Sequence, residues 1–193
     1  MLNVGRASGA MFRIHFCAIT ASLTAFAQVG AIPRFEEYPV TKVFQGTPAP
    51  PILVTPEERL YRTRIRRGVS DGQGVWRENG VEGIPGPNFA GHYIVVTWEC
   101  GSPCNEMAIV DAVTGKVYKP PMSETHLLPL LDGAPCFPGV EFHLDSKLMI
   151  MTPTPNMARV PIYIHYFLWE NNKWTLIRRI PCGPKGTPTA CEK

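Results

Sequence analysis

The chain has 193 residues, of which 45% are hydrophobic, 18% charged and 10% aromatic. That is enough apolar material to bury a core, and it excludes a disordered or low-complexity polymer. Twenty prolines and 17 glycines break the backbone too often for long helices to dominate, and the length predicts a single domain.

Residues 1–27 contain Arg6 and Arg13, no acidic residue, and an apolar run from Phe16 to Phe26 that closes on Ala25-Phe26-Ala27. The run is shorter than the roughly 20 residues that span a bilayer, and small residues end it, which is the pattern of a secretory signal peptide cleaved after Ala27. Cys17 lacks the preceding Leu and small residues of a lipoprotein site, so no lipid anchor is expected. Cleavage would remove two arginines, leaving 17 basic against 16 acidic side chains. The net charge of +3 therefore belongs partly to targeting and does not argue for a nucleic-acid partner. A periplasmic or secreted protein without a transmembrane anchor is expected.

Residues 28–54 hold Tyr38-Pro39-Val40 and Pro48-Ala49-Pro50-Pro51. Prolines fix φ, so this segment reads as an extended arm lying on the domain, pinned by Tyr38, Val40 or Phe44. The main domain then spans 55–193. Thr55-Pro56-Glu57-Glu58 is a helix start, with Thr as cap, Pro at the first helical position and Glu58 able to bond back. Gly68 reads as the stop, which gives a helix over 56–67 with Leu60, Tyr61 and Ile65 available to pack. Its other face carries Arg59, Arg62, Arg66 and Arg67, usually a solvated stripe and alternatively an anion site. The glycine-rich stretch 69–88 reads as an irregular loop covering one sheet edge, with Trp76 as its large anchor.

From His92 the period is two. His92, Ile94, Val96 and Trp98 alternate with Tyr93, Val95, Thr97 and Glu99, and both sets are mainly apolar, so the strand is expected to be central and covered on both faces. Met107–Asp111 turns through Asp111-Ala-Val-Thr-Gly115-Lys116 and returns to Lys119. Residues 120–138 interrupt the sheet with prolines. Val140 to Leu144 turns at Asp145-Ser146 into Leu148–Thr152, and Ile162–Glu170 pairs with Lys173–Ile180 across Asn171-Asn172, both of which tolerate φ > 0. The expected fold is mainly β: antiparallel sheets of seven or eight hairpin-built strands, a sandwich or open barrel, with one short N-terminal α-helix. A closed propeller is excluded, because four blades of about 40 residues would need nearly the whole mature chain.

Five cysteines follow residue 27: Cys100, Cys104, Cys136, Cys182 and Cys191. In an oxidising compartment an odd count means two disulfides and one unpaired thiol, and sequence does not choose the pairing. Cys182 and Cys191 flank a turn-rich stretch whose closure is worth about 2.5 to 3 kcal/mol, which makes them the first pair to expect. Cys100 and Cys104 bracket Gly-Ser-Pro at the neck of a hairpin and form the second, with Cys136 an alternative partner for either. Three intervening residues do not fit a thioredoxin-type motif, and no second close Cys or His pair completes a zinc site, so neither metal nor cofactor is expected.

Tyr38-Pro39-Val40, Pro48-Ala49-Pro50, the Thr55 helix, Asn88-Phe-Ala-Gly-His-Tyr93, Trp98-Glu-Cys-Gly101 with Cys104, Ala108-Ile-Val-Asp-Ala-Val-Thr-Gly-Lys-Val117 and Tyr166-Phe-Leu-Trp-Glu170 together resemble a group of small bacterial exported proteins of unknown function. The resemblance covers most of the mature chain and implies a bacterial, extracytoplasmic setting, with no activity to carry over. Against that group's pattern, residues 69–86 look like an insertion, which makes the loop a candidate for what is particular to this protein.

The mature chain has four serines, Ser70, Ser102, Ser123 and Ser146, none in a Gly-x-Ser-x-Gly or Ser-x-x-Lys setting, so no serine hydrolase is expected. No catalytic residue is assigned. Candidate ligand contacts are Asn88, His92 and Glu99 around the first strand, Trp76 on the loop, and Arg62 and Arg66 on the helix. The leading expectation is a non-catalytic or inhibitor-like envelope protein that binds a macromolecule or a glycan. The alternative is a hydrolase whose acid and base converge from separate strands.

Overall fold

The computed structural model describes residues 32–76, 82–101, 104–122, 125–126, 139–152 and 163–181. The proposed signal peptide, Cys136 and the Cys182–Cys191 pair lie outside the described residues.

The protein is mainly β, built as two open antiparallel sheets. The first contains β1 (Tyr93–Gly101), β2 (Cys104–Asp111), β3 (Val117–Tyr118) and β4 (Thr125–His126). The second contains β5 (Gly139–Phe142), β6 (Leu148–Thr152), β7 (Tyr163–Glu170) and β8 (Lys173–Pro181), paired in that order. Two of the turns are closed by residues that suit them. At β7–β8 both asparagines adopt left-handed backbone, Asn171 at φ 51° and Asn172 at φ 59°, the chemistry of a two-residue primed turn. After β2, Asp111 Oδ1 accepts from Val113 N at 2.8 Å and Oδ2 accepts from Thr114 Oγ1 at 2.8 Å, an Asx turn that sends the chain back into β3.

Among the described residues, the strand alternation sorts side chains into three apolar clusters. Between the sheets, Tyr93, Val95, Met107 and Ile109 meet Phe142, Met149, Met151, Phe167 and Trp169. On the outer face of the first sheet, Ile94, Val96, Trp98, Ala108 and Val110 pack under Ile65, Val69 and Val75. On the outer face of the second, Leu148, Ile164, Tyr166 and Ile180 are covered by Phe35 and Tyr38 of the arm. β1 is thus buried on both faces, yet among the described residues it pairs with β2 alone and forms the edge of its sheet, not its centre. The missing neighbour is supplied by the loop: Thr97 N donates to Gly74 O at 2.9 Å, and Val95 N donates to Asn88 Oδ1 at 2.7 Å. A backbone edge that would otherwise stay unpaired is closed by irregular chain.

The arm joins the two sheets. Val40 N donates to Asp145 O, Phe44 N to Gly91 O, Ala49 N to Ala112 O and Ile52 N to Gly115 O, each at 2.8 Å. It crosses the turns of both sheets in an extended form that its prolines favour.

The helix departs from expectation at both ends of its second half. Its start is the capping box: Glu58 N donates to Thr55 Oγ1 at 3.2 Å, and Thr55 N to Glu58 Oε2 at 3.0 Å. It breaks at Tyr61 into α1 (Pro56–Leu60) and α2 (Arg62–Asp71), where the Tyr61 ring lies on Trp98 with centroids 4.9 Å apart. Leu60, expected to pack, is 70% exposed, because the break turns Tyr61 inward instead. Gly68 does not end the helix, which runs on to Gly72 at φ 78°. A Cβ on Gly68 would overlap the Val96 side chain, so this glycine serves the close approach of α2 to β1. No helix among the described residues is long and apolar enough to cross a membrane.

Candidate functional site

Two residues singled out from sequence, Trp76 and Glu99, line one cleft of about 260 Å³ with Arg64, Gln73, Glu82, Thr97, Trp98 and Asn105. Its floor is the end of β1. One wall is the 73–76 segment, held by the two bonds that Gly74 O accepts from Thr97, at 2.9 Å from N and 3.1 Å from Oγ1. A side chain at Gly74 would collide with Thr97 O, and its φ is 76°, so the close approach and the left-handed turn both require glycine. Glu82 closes the same wall by accepting from Gly74 N at 2.8 Å.

Trp76 is not the anchor of the loop. It is 44% exposed, while its neighbour Val75 is fully buried. Adjacent residues of an extended segment point opposite ways, so burying Val75 presents the indole to the cleft. Below it, Asn88 Nδ2 donates to Trp76 O at 3.0 Å. Trp98 forms part of the cleft lining and has a buried indole N–H with no acceptor, an uncommon state for a buried donor.

The other candidates are placed elsewhere. Asn88 is 2% exposed and its amide is engaged by Val95 and the Trp76 carbonyl, so it is a positioning residue under the cleft, not a ligand contact. His92 lies at the opposite end of β1, its ring 4.1 Å from that of Tyr93. Arg62 and Arg66 are exposed and do not line the cleft. Arg62 Nη1 donates to Arg59 O at 3.1 Å. The arginine that does line it is Arg64, missed from the charge run. The signal was the helical phase: with Ile65, Gly68 and Val69 buried, Arg64 sits four residues before Gly68 and so beside the buried stripe.

Cys100 is the extra residue of a bulge at the β1–β2 turn, since Glu99 faces Asn105 and Gly101 faces Cys104. No group of three or more His, Cys, Asp or Glu that could hold a metal ion occurs among the described residues.

The cleft can therefore offer a flat aromatic face, one guanidinium, two carboxylates and two side-chain amides to a bound molecule. No protein-family model, curated protein or solved structure matches the chain.

Proposed function

We propose that the chain is an exported, non-catalytic binding module of the bacterial envelope that holds a glycan in the Trp76 cleft. The observation that carries this is a half-exposed indole set among Arg64, Gln73, Glu82, Glu99 and Asn105. A sugar ring has an apolar C–H face that packs on an aromatic plane and hydroxyls that both donate and accept. Planar amides, carboxylates and a guanidinium supply the complementary partners. The signal-peptide pattern, the odd set of five later cysteines and the resemblance to small exported proteins support the extracytoplasmic setting, with Cys100–Cys104 and Cys182–Cys191 as the disulfides.

The test is a titration of the purified protein with soluble peptidoglycan fragments and neutral β-linked oligosaccharides, followed by tryptophan fluorescence. Saturable binding that Trp76→Ala weakens at least about tenfold supports the reading. Binding that is indifferent to Trp76→Ala, or absent for every glycan, overturns it.

A second reading has its own observation: Glu82 and Glu99 reach one cleft from separate segments, as the acid and base of a glycoside hydrolase would. Release of reducing sugar that Glu99→Gln abolishes while binding persists would replace the binding-only reading.

A further inference from the structure

A second cleft, of about 320 Å³, opens at the other end of β1 and shares no residue with the Trp76 site. It lies within the size range of small-molecule sites. Its lining includes Lys42 of the arm, His92 and Tyr93 at the start of β1, Lys147 of the β5–β6 turn, and Glu170 and Asn172 of the β7–β8 hairpin.

These segments come from distant parts of the chain and are tied to one another through the backbone. Phe44 N donates to Gly91 O at 2.8 Å, Lys147 N to Tyr38 O at 2.9 Å and Trp169 N to Lys147 O at 2.9 Å. The Tyr93 hydroxyl donates to Asn172 Oδ1 at 2.6 Å. The backbone that carries the lining is thus held in place before any ligand arrives, which lowers the ordering cost of binding.

Its chemistry is one-sided. The acid, Glu170, accepts from Lys147 Nζ at 3.1 Å, so that pair contributes no net charge, and the ammonium keeps two further N–H donors. Lys42 is exposed and has no acidic partner among the described residues. Asn172 uses its oxygen on Tyr93, which leaves its amide nitrogen as the end able to donate. His92 adds a ring nitrogen. The net charge from the two lysines and Glu170 is positive.

We propose that this cleft binds an oxyanion, a phosphate or carboxylate group carried on a small molecule, with Lys42 as the principal charge and Lys147 and Asn172 as hydrogen-bond donors. The site is separate from the glycan cleft and stands or falls independently of it.

The experiment is an NMR titration of the purified protein at low ionic strength, with inorganic phosphate in one arm and malonate in the other. Saturable shifts at the amides of His92, Tyr93 and Asn172, weakened about tenfold by Lys42→Ala and retained in Trp76→Ala, support the proposal. Saturation by phosphate alone assigns a phosphate-bearing ligand, and saturation by malonate alone a carboxylate. Absence of saturable shifts with both anions, or equal affinity in Lys42→Ala, overturns it. Lys42 is exposed on the arm, and a thermal melt of the variant checks that the fold is intact.

Discussion

Asn88 and Val95 bond to each other as two neighbouring strands do: the Asn88 side-chain amide accepts from Val95 N at 2.7 Å and donates to Val95 O at 3.1 Å. Both residues are buried, so no water replaces the amide if it is lost. Asn88→Ala strands a backbone N–H and a backbone C=O of β1 and frees the Trp76 carbonyl, at a cost of about 2 to 4 kcal/mol. Asn88→Asp keeps the acceptor, loses both donated bonds and buries a carboxylate, so it is destabilising as well. Urea denaturation measures both; a loss below about 0.5 kcal/mol for Asn88→Ala would contradict the pairing.

The same interaction explains which parts of the fold were legible. The hairpins were readable because alternation and turn chemistry are local: Asn171-Asn172 and the Asp111 turn close where their residue types allow. The edge position of β1 was not, because its outer bonds go to Gly74 and to a side chain at Asn88, in a stretch with no periodicity. Strand β4 was missed among prolines for the same reason, since its pairing is two residues long. The site divides in the same way. Trp76 and Glu99 stood out as residue types, whereas Arg64 depended on helical phase, and taking Gly68 as the helix stop concealed that Ile65, Gly68 and Val69 form one buried stripe.

Gly68 supplies a prediction whose sign runs against propensity. Alanine favours a helix interior over glycine by about 1 kcal/mol, so an exposed Gly→Ala would stabilise. Here the new Cβ overlaps Val96, and overpacking costs about 1 to 3 kcal/mol. Gly68→Ala is expected to lower stability, and Val96→Ala in the same chain to recover part of the loss. A double-mutant cycle that returns simple additivity would rule out the contact.

Ser146 fastens the arm to the second sheet. Its hydroxyl lies 2.8 Å from Phe35 O and 3.2 Å from Tyr38 O, and it accepts from Leu148 N at 3.2 Å, all at a position 1% exposed. Ser146→Ala removes a donor that two arm carbonyls face, an expected loss of about 1 to 2 kcal/mol. The loss should be local, appearing as faster hydrogen exchange at the Val40 and Lys147 amides, with the β1–β2 amides unchanged. Uniform acceleration across both sheets would show that the arm is not a separable unit.

His165 sets an acid limit on stability. It lies between Tyr163 and Phe167 on β7, with Arg179 opposite it on β8. Burial lowers its pKa below the ordinary 6.5 and the Arg179 charge adds to that, against the opposing pull of the Tyr163 and Met151 backbone. The neutral ring is therefore favoured in the folded state, and the unfolded chain takes up its proton first as the pH falls. The stabilisation is complete above 6.5 and is lost as acidification carries the ring through its lower folded pKa. His165→Gln cannot be protonated and should flatten the fall in urea midpoint between about pH 7.5 and pH 5. Because burial is the larger cause, Arg179→Gln should flatten it less. An undiminished slope in His165→Gln would place the acid sensitivity on another group.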